Sequence, residues 1–191
     1  MANMAQLEED TLNTIAHQML ADYDAVEPGK IFADGLRLGV PDAWRVQTAV
    51  THLREQRGES VVGYKIGCVC DSNQKAMGLS HPVWGRLWSN EQHADEAVLS
   101  KAGFANLALE AEFAVTLNSA ISPGHTSTKE ITSAIEAVYP VIEIHNKVMR
   151  GEAPHGHELI ANNAIHAGVV RGQAVSDPAT LLITDLVLVF D

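Results

Sequence analysis

The sequence predicts an α+β fold, with helices first and a mixed arrangement of strands after them. Three observations carry this. Apolar residues in the first third recur at helical spacing. From Val61 onward the spacing drops to two, the period of a strand. The strands are interrupted by short helices, without the regular alternation that builds a doubly wound sheet.

Taken in order, Leu12, Ile15, Ala16, Met19 and Leu20 lie on one face of a first helix, and Val46, Ala49, Val50 and Leu53 on one face of a second. The second helix should open near Pro41-Asp42 and stop at Gly58. Gly29 to Gly39 reads as a turn-rich connector without phosphate-loop spacing. Val61–Gly67 is strand-like, and Asp71 or Ser72 should cap a short helix ending at Gly78. Ser127-Thr128-Lys129-Glu130 has capping-box spacing and should open a helix through Val138, with a strand starting at Pro140. Further strands are expected near Ala167–Val170 and Leu181–Phe190.

The informative stretch is Leu107–Leu117, which alternates strictly. Leu107, Leu109, Ala111, Phe113, Val115 and Leu117 take one face, and Ala108, Glu110, Glu112, Ala114 and Thr116 the other. Glu110 and Glu112 therefore project together, about 7 Å apart at Cβ. Glu143 shares a face with Val141 and His145 in a second β-rich run. One reading of the Glu pair is a solvated strand face, which most antiparallel sheets possess. Against it, the face carries no compensating Lys or Arg, glutamate is a poor strand former, and like charges repel without a cation between them. Carboxylates converging from two strands suit a hard divalent cation.

Composition narrows the remaining classes. At 191 residues, 46% hydrophobic and 19% charged, the chain has the material for one sizeable core. A net charge of −11 argues against nucleic acid or an anionic membrane as partner. No apolar run reaches bilayer-spanning length, and the N-terminus lacks a basic-then-apolar signal, so a cytoplasmic location is expected. Cys68 and Cys70 are too close for a disulfide with each other and too few for a zinc site, and are expected to be reduced thiols. His155-Gly156-His157 reads as a polar loop with no ligand role, though such a loop could lie over a pocket. His145 shares the Glu143 face, as either an acid/base near a metal or a structural histidine.

Val62-Gly63-Tyr64-Lys65-Ile66-Gly67, Gln74…Met77-Gly78…Pro82-Val83-Trp84-Gly85, Leu109-Glu110-Ala111-Glu112, Pro140-Val141-Ile142-Glu143 and Ala161-Asn162-Asn163-Ala164 together resemble one family. It is the 2-keto-4-pentenoate hydratase / 4-oxalocrotonate decarboxylase branch of the fumarylacetoacetate hydrolase superfamily. The resemblance implies a mixed β-roll over residues 60–191, preceded by a helical region over residues 1–59. It implies Mg²⁺ or Mn²⁺ held by Glu110, Glu112 and Glu143, with Lys65 facing the substrate. The implied substrate is a small 2-hydroxy-dienoate or 2-oxo-enoate from aromatic catabolism, chelated through its C1 carboxylate and C2 oxygen, and the implied assembly is a homo-oligomer. Water addition by a hydratase is the first reading of the activity and loss of CO₂ by a decarboxylase the second. A catalytically silent fragment or partner subunit is a third.

Three departures from the family pattern bear on substrate: Ala108 in place of a frequent Arg, His145-Asn146-Lys147 in place of a small/acidic-Ser-Arg segment, and Asn162 in place of Asp. The resemblance also breaks off at Asp191, after the apolar run Leu182–Phe190, so the roll is expected to be incomplete and its pocket too open on that side.

Overall fold

A computed structural model of the chain describes residues 6–122, 124, 127–150 and 155–174. Two helices, α1 (Glu9–Asp24) and α2 (Val40–Gln56), precede β1 (Val61–Gly67), α3 (Asp71–Ala76), β2 (Val83–Trp88) and β3 (Gln92–Ala94). They are followed by β4 (Leu107–Leu117), α4 (Thr128–Ala134), β5 (Ile135–Asn146), α5 (Gly156–Ala161) and β6 (His166–Arg171). β1 and β2 form an antiparallel pair. The other four strands form a mixed sheet in the order β3-β6-β5-β4, in which only β3 and β6 run parallel. This is the α+β class with mixed strands that the spacing predicts.

The predicted helical faces are the ones buried. Leu12, Ile15 and Met19 from α1 meet Ala43 and Val46 from α2, and this cluster continues into Val83 of β2, Met149 and Ile160 of α5. The core therefore joins the helical region to the β-rich part. Arg54 of α2 is buried within this frame. It pairs with Glu91 at 2.6 Å and Glu59 at 2.5 Å and lies over the Trp88 ring at 4.2 Å, while the Tyr23 hydroxyl donates to Glu91. Two carboxylates and an aromatic face offset the desolvation of one guanidinium.

Three local expectations are corrected. The helix opened by the Ser127/Glu130 capping box ends at Ala134, not Val138, and β5 begins at Ile135. The β-branched and aromatic residues Ile135, Val138 and Tyr139 pair with Leu117, Val115 and Ala114, and ladder pairing overrides local helix propensity there. Pro140 consequently lies inside a central strand instead of starting it. Its carbonyl accepts from Gly172 N–H on the β6 side, so its missing N–H also faces that side, just past the last paired residue, Arg171. The proline thus forgoes a bond only at the end of the pairing, where it is tolerated. The short helix α3 is preceded by Cys70, so neither Asp71 nor Ser72 occupies the cap position.

A fourth finding concerns the alternating strand. β4 is the edge of its sheet, and its apolar face is the open one, with Leu109 60% and Phe113 42% exposed. Its Glu-bearing face is half-covered from Glu112 to Thr116, while Glu110 stays exposed. Periodicity identifies the strand but not which side is covered. The apolar run Leu182–Phe190 lies outside the described residues.

Candidate metal centre

The site is built where β4, β5 and β6 face β1. In the β4/β5 ladder Glu110 stands opposite Glu143, Ala108 opposite His145 and Glu112 opposite Val141. A one-residue irregularity between Ile144 and His145 brings His145 opposite His166 of β6. Such bulges re-aim side chains. His166 is set by the turn before it, where Asn163, Ala164 and Ile165 are all left-handed, with φ of 54°, 51° and 56°. Three such non-glycine residues in a row are costly unless held in place. The Asn163 side chain holds them: its Oδ1 accepts from Arg86 N–H at 2.6 Å, and its Nδ2 donates to Arg86 O at 2.9 Å. Gly85 permits the approach, since a Cβ there would lie 2.5 Å from the Asn163 carbonyl oxygen. The motif residues at 85 and 161–164 thus serve to place a histidine.

Glu143 is the centre of the cluster and is 2% exposed. His166 Nδ1–H donates to its Oε1 at 2.7 Å. Lys65 Nζ lies 3.0 Å from Oε2, and His145 Nε2 lies 3.1 Å from the same oxygen and 3.9 Å from Glu110 Oε2. The positive charge that β4 itself lacks is therefore supplied by Lys65 from the facing strand. Burial alone would raise the Glu143 carboxyl, but His145, His166 and Lys65 outweigh it and hold it well below the usual carboxylate range. Glu112 goes the other way. Burial pushes it up, and repulsion from Glu143 adds to this more than Lys65 relieves.

Three ligand atoms, one each from Glu110, Glu143 and His145, lie within 4.8 Å of one another. Glu112 is not one of the three. It lies two residues along the same face and lines a cleft of about 640 Å³ between the two sheets, together with Lys65, Glu143, His166 and Arg171. Glu110 and His145 do not line that cleft, and adjoin it through Glu143, which His145 approaches to 3.1 Å and Glu110 faces across the ladder. Spacing alone did not indicate His166 or Arg171, because their roles depend on β6 lying beside β5. The loop histidine His155 instead precedes α5 as part of a capping box with Glu158.

No family model matches the chain. A 2-hydroxyhexa-2,4-dienoate hydratase of Comamonas testosteroni is 28% identical over 144 residues, covering 74% of this chain and 54% of that protein. A 4-oxalocrotonate decarboxylase of a Pseudomonas species is 29% identical over 133 residues, covering 70% and 52%. These relatives are all named as 2-keto-4-pentenoate-type hydratases or 4-oxalocrotonate decarboxylases, and the chain is similar to both kinds. It spans about half the length of the curated relatives it matches. The fold is also similar to that of solved structures. A solved 4-oxalocrotonate decarboxylase from Pseudomonas putida G7, complexed with magnesium and adipate, superposes with a TM-score of 0.83 at 22% identity, over 90% of this chain and 66% of that one. The calcium and acetate complex gives 0.81. Among the described residues no helix is long and apolar enough to cross a membrane.

The opposed shifts of the two glutamates give a testable consequence. With its carboxyl raised on folding, Glu112 opposes stability at neutral pH, where it is ionised in the unfolded chain, and costs nothing once the pH falls below its unfolded value of about 4.3. Glu112→Gln should therefore raise the melting temperature of the metal-free protein at pH 7 by about 1–3 °C, screening by solvent keeping the effect small. The gain should vanish near pH 4. Thermal melts at the two pH values check this, and a lower melting temperature at pH 7 would contradict it.

Proposed function

We propose that the chain carries the active site of a divalent-metal-dependent enzyme acting on small 2-hydroxy-dienoate or 2-oxo-enoate acids. The observation that carries this is Glu143, buried and ionised, with Glu110 beside it and with Lys65 paired to it in the wall of a cleft. The residues present fit a divalent ion. Glu110, Glu112 and Glu143 bring three carboxylates to the site, and among the described residues Lys65 is the one lysine or arginine ion-paired with any of them. Glu143 Oε2 is buried with no aligned hydrogen bond among the described residues. Glu110 and Glu143 would hold the ion, with Glu112 beside them, through oxygens that suit Mg²⁺ or Mn²⁺. When bound, the ion would draw electron density from the substrate's oxyanionic end.

The chain's own residues supply the rest. Lys65 places an ammonium where a substrate carboxylate would enter and holds a proton there. His145 flanks Glu143 on its other side, the second group able to carry a proton.

Hydration is the first reading of the chemistry, in line with the hydratases among the relatives. Decarboxylation is favoured by one observation, Arg171, whose guanidinium lines the same cleft and lies 4.8 Å above the Tyr139 ring. An arginine there suits a second carboxylate, which oxalocrotonate has and pentenoate lacks. Turnover of both substrate types should disappear with a chelator and return with Mg²⁺ or Mn²⁺. Arg171→Gln should slow the dicarboxylate about tenfold, the worth of about 1.4 kcal/mol, and leave the monocarboxylate nearly unchanged. No metal-dependent turnover of either would overturn the proposal. The same reading includes a cytoplasmic setting and a homo-oligomer, the latter supported by the open apolar faces of β1 and β4 and checked by light scattering in solution.

A further inference from the structure

We propose that the cavity behind His166 holds ordered water, and that this water, bound by the Thr51 hydroxyl, keeps the imidazole seated on Glu143. Thr51 is then a positioning residue for the cluster, acting from α2. The water site stands on geometry alone, while its effect on metal binding rests on the reading of the cluster as a metal site.

The cavity has a volume of about 50 Å³, with Thr51, Asn146, Asn162 and His166 in its wall beside Met19 and Trp88. Among the described residues His166 alone lines both this cavity and the cleft that holds Lys65 and Glu143. Its side chain is 1% exposed, and its Nδ1 is fixed on Glu143 Oε1 at 2.7 Å. The other ring nitrogen, Nε2, is buried with no hydrogen bond to the described residues. A buried polar atom left this way is costly, and most such atoms are satisfied by protein or by ordered water. Water suits the place in size and in chemistry. One molecule needs about 10–15 Å³ of such space and two to four polar partners, so the cavity has room for about three. Thr51 Oγ1 donates to Gln47 O at 2.8 Å and keeps its lone pairs, and Asn162 Nδ2 is taken by Glu158 O, which leaves Oδ1 to accept. Water can donate to both and meet Nε2 as donor or acceptor, whichever the ring requires. The neighbouring amides of Gln47 and Asn163 are committed to backbone groups and Arg86.

The test is a high-resolution crystal structure of the full chain, with a second crystal held under xenon, which enters dry apolar cavities. The expected result is a water about 2.7–3.2 Å from His166 Nε2 and no xenon in the cavity. Thr51→Val nearly keeps the shape of the side chain and removes the hydroxyl. It should release this water and weaken Mn²⁺ binding about three- to tenfold, less than the 10–100-fold of a group bonded directly to a ligand. Thr51→Ser, which restores the hydroxyl, should restore the water and bring Mn²⁺ affinity back to within about twofold, which a loss of packing alone would not allow. Xenon seated in the cavity of the unsubstituted protein, with no water on Nε2, would overturn the water site. Unchanged Mn²⁺ affinity in Thr51→Val would overturn the positioning role of Thr51. If the unsubstituted protein binds no Mn²⁺, the metal reading falls instead, and the crystals still decide the water site.

Discussion

Glu143→Gln is expected to remove divalent-metal binding and to destabilise the metal-free fold in the same stroke. The amide is the same size, so packing is preserved and only charge is lost. The change leaves Lys65, 3.0 Å away with a side chain 8% exposed, without its partner. Breaking a buried pair from one side costs about 3–5 kcal/mol. The pH dependence identifies the cause. Because folding holds the Glu143 carboxyl below its usual range, its contribution is present above the unfolded value of about 4.3 and is lost as pH falls through the lower folded value. The stability gap between wild type and Glu143→Gln should therefore be wide at pH 7 and close in strong acid. Denaturant melts at several pH values, with calorimetric titration of Mn²⁺, measure both effects. Equal stability at pH 7 would rule out the buried ion-pair network.

Lys65→Met should separate chemistry from metal binding. The methionine keeps most of the side-chain volume and removes the ammonium, so turnover should fall about 10²–10⁴-fold, the usual worth of a positioned proton-transfer group. Metal affinity should stay within a few-fold or tighten, because Lys65 Nζ competes with an ion for Glu143 Oε2. Initial rates and Mn²⁺ titration on the same preparation give both quantities. A large loss of metal affinity with turnover per bound metal unchanged would make Lys65 a structural cation.

Much of this arrangement was legible in the residues. Strict alternation located β4, and the shared faces of Glu110 with Glu112 and of Glu143 with His145 follow from period two alone. Three features were not. The cations that answer the acidic cluster, Lys65 and the histidines, gather on Glu143 from other elements, and no local pattern encodes that. His166, 23 residues beyond Glu143, becomes its partner only through the pairing of β6 with β5, dependent on the left-handed turn at 163–165. The start of β5 was misplaced because Ser127 and Glu130 signal where a helix begins, while its end is decided by ladder pairing with β4.

The proposed divalent-metal site at Glu110 and Glu143 is tested most directly by anomalous diffraction from crystals of the protein soaked in Mn²⁺. The predicted result is one strong peak between the two sheets, about 2.0–2.6 Å from oxygens of Glu110 and Glu143, with the Lys65 ammonium withdrawn from Glu143 Oε2. Lys65 still seated on Glu143, with no peak within bonding distance of either carboxylate, would contradict it.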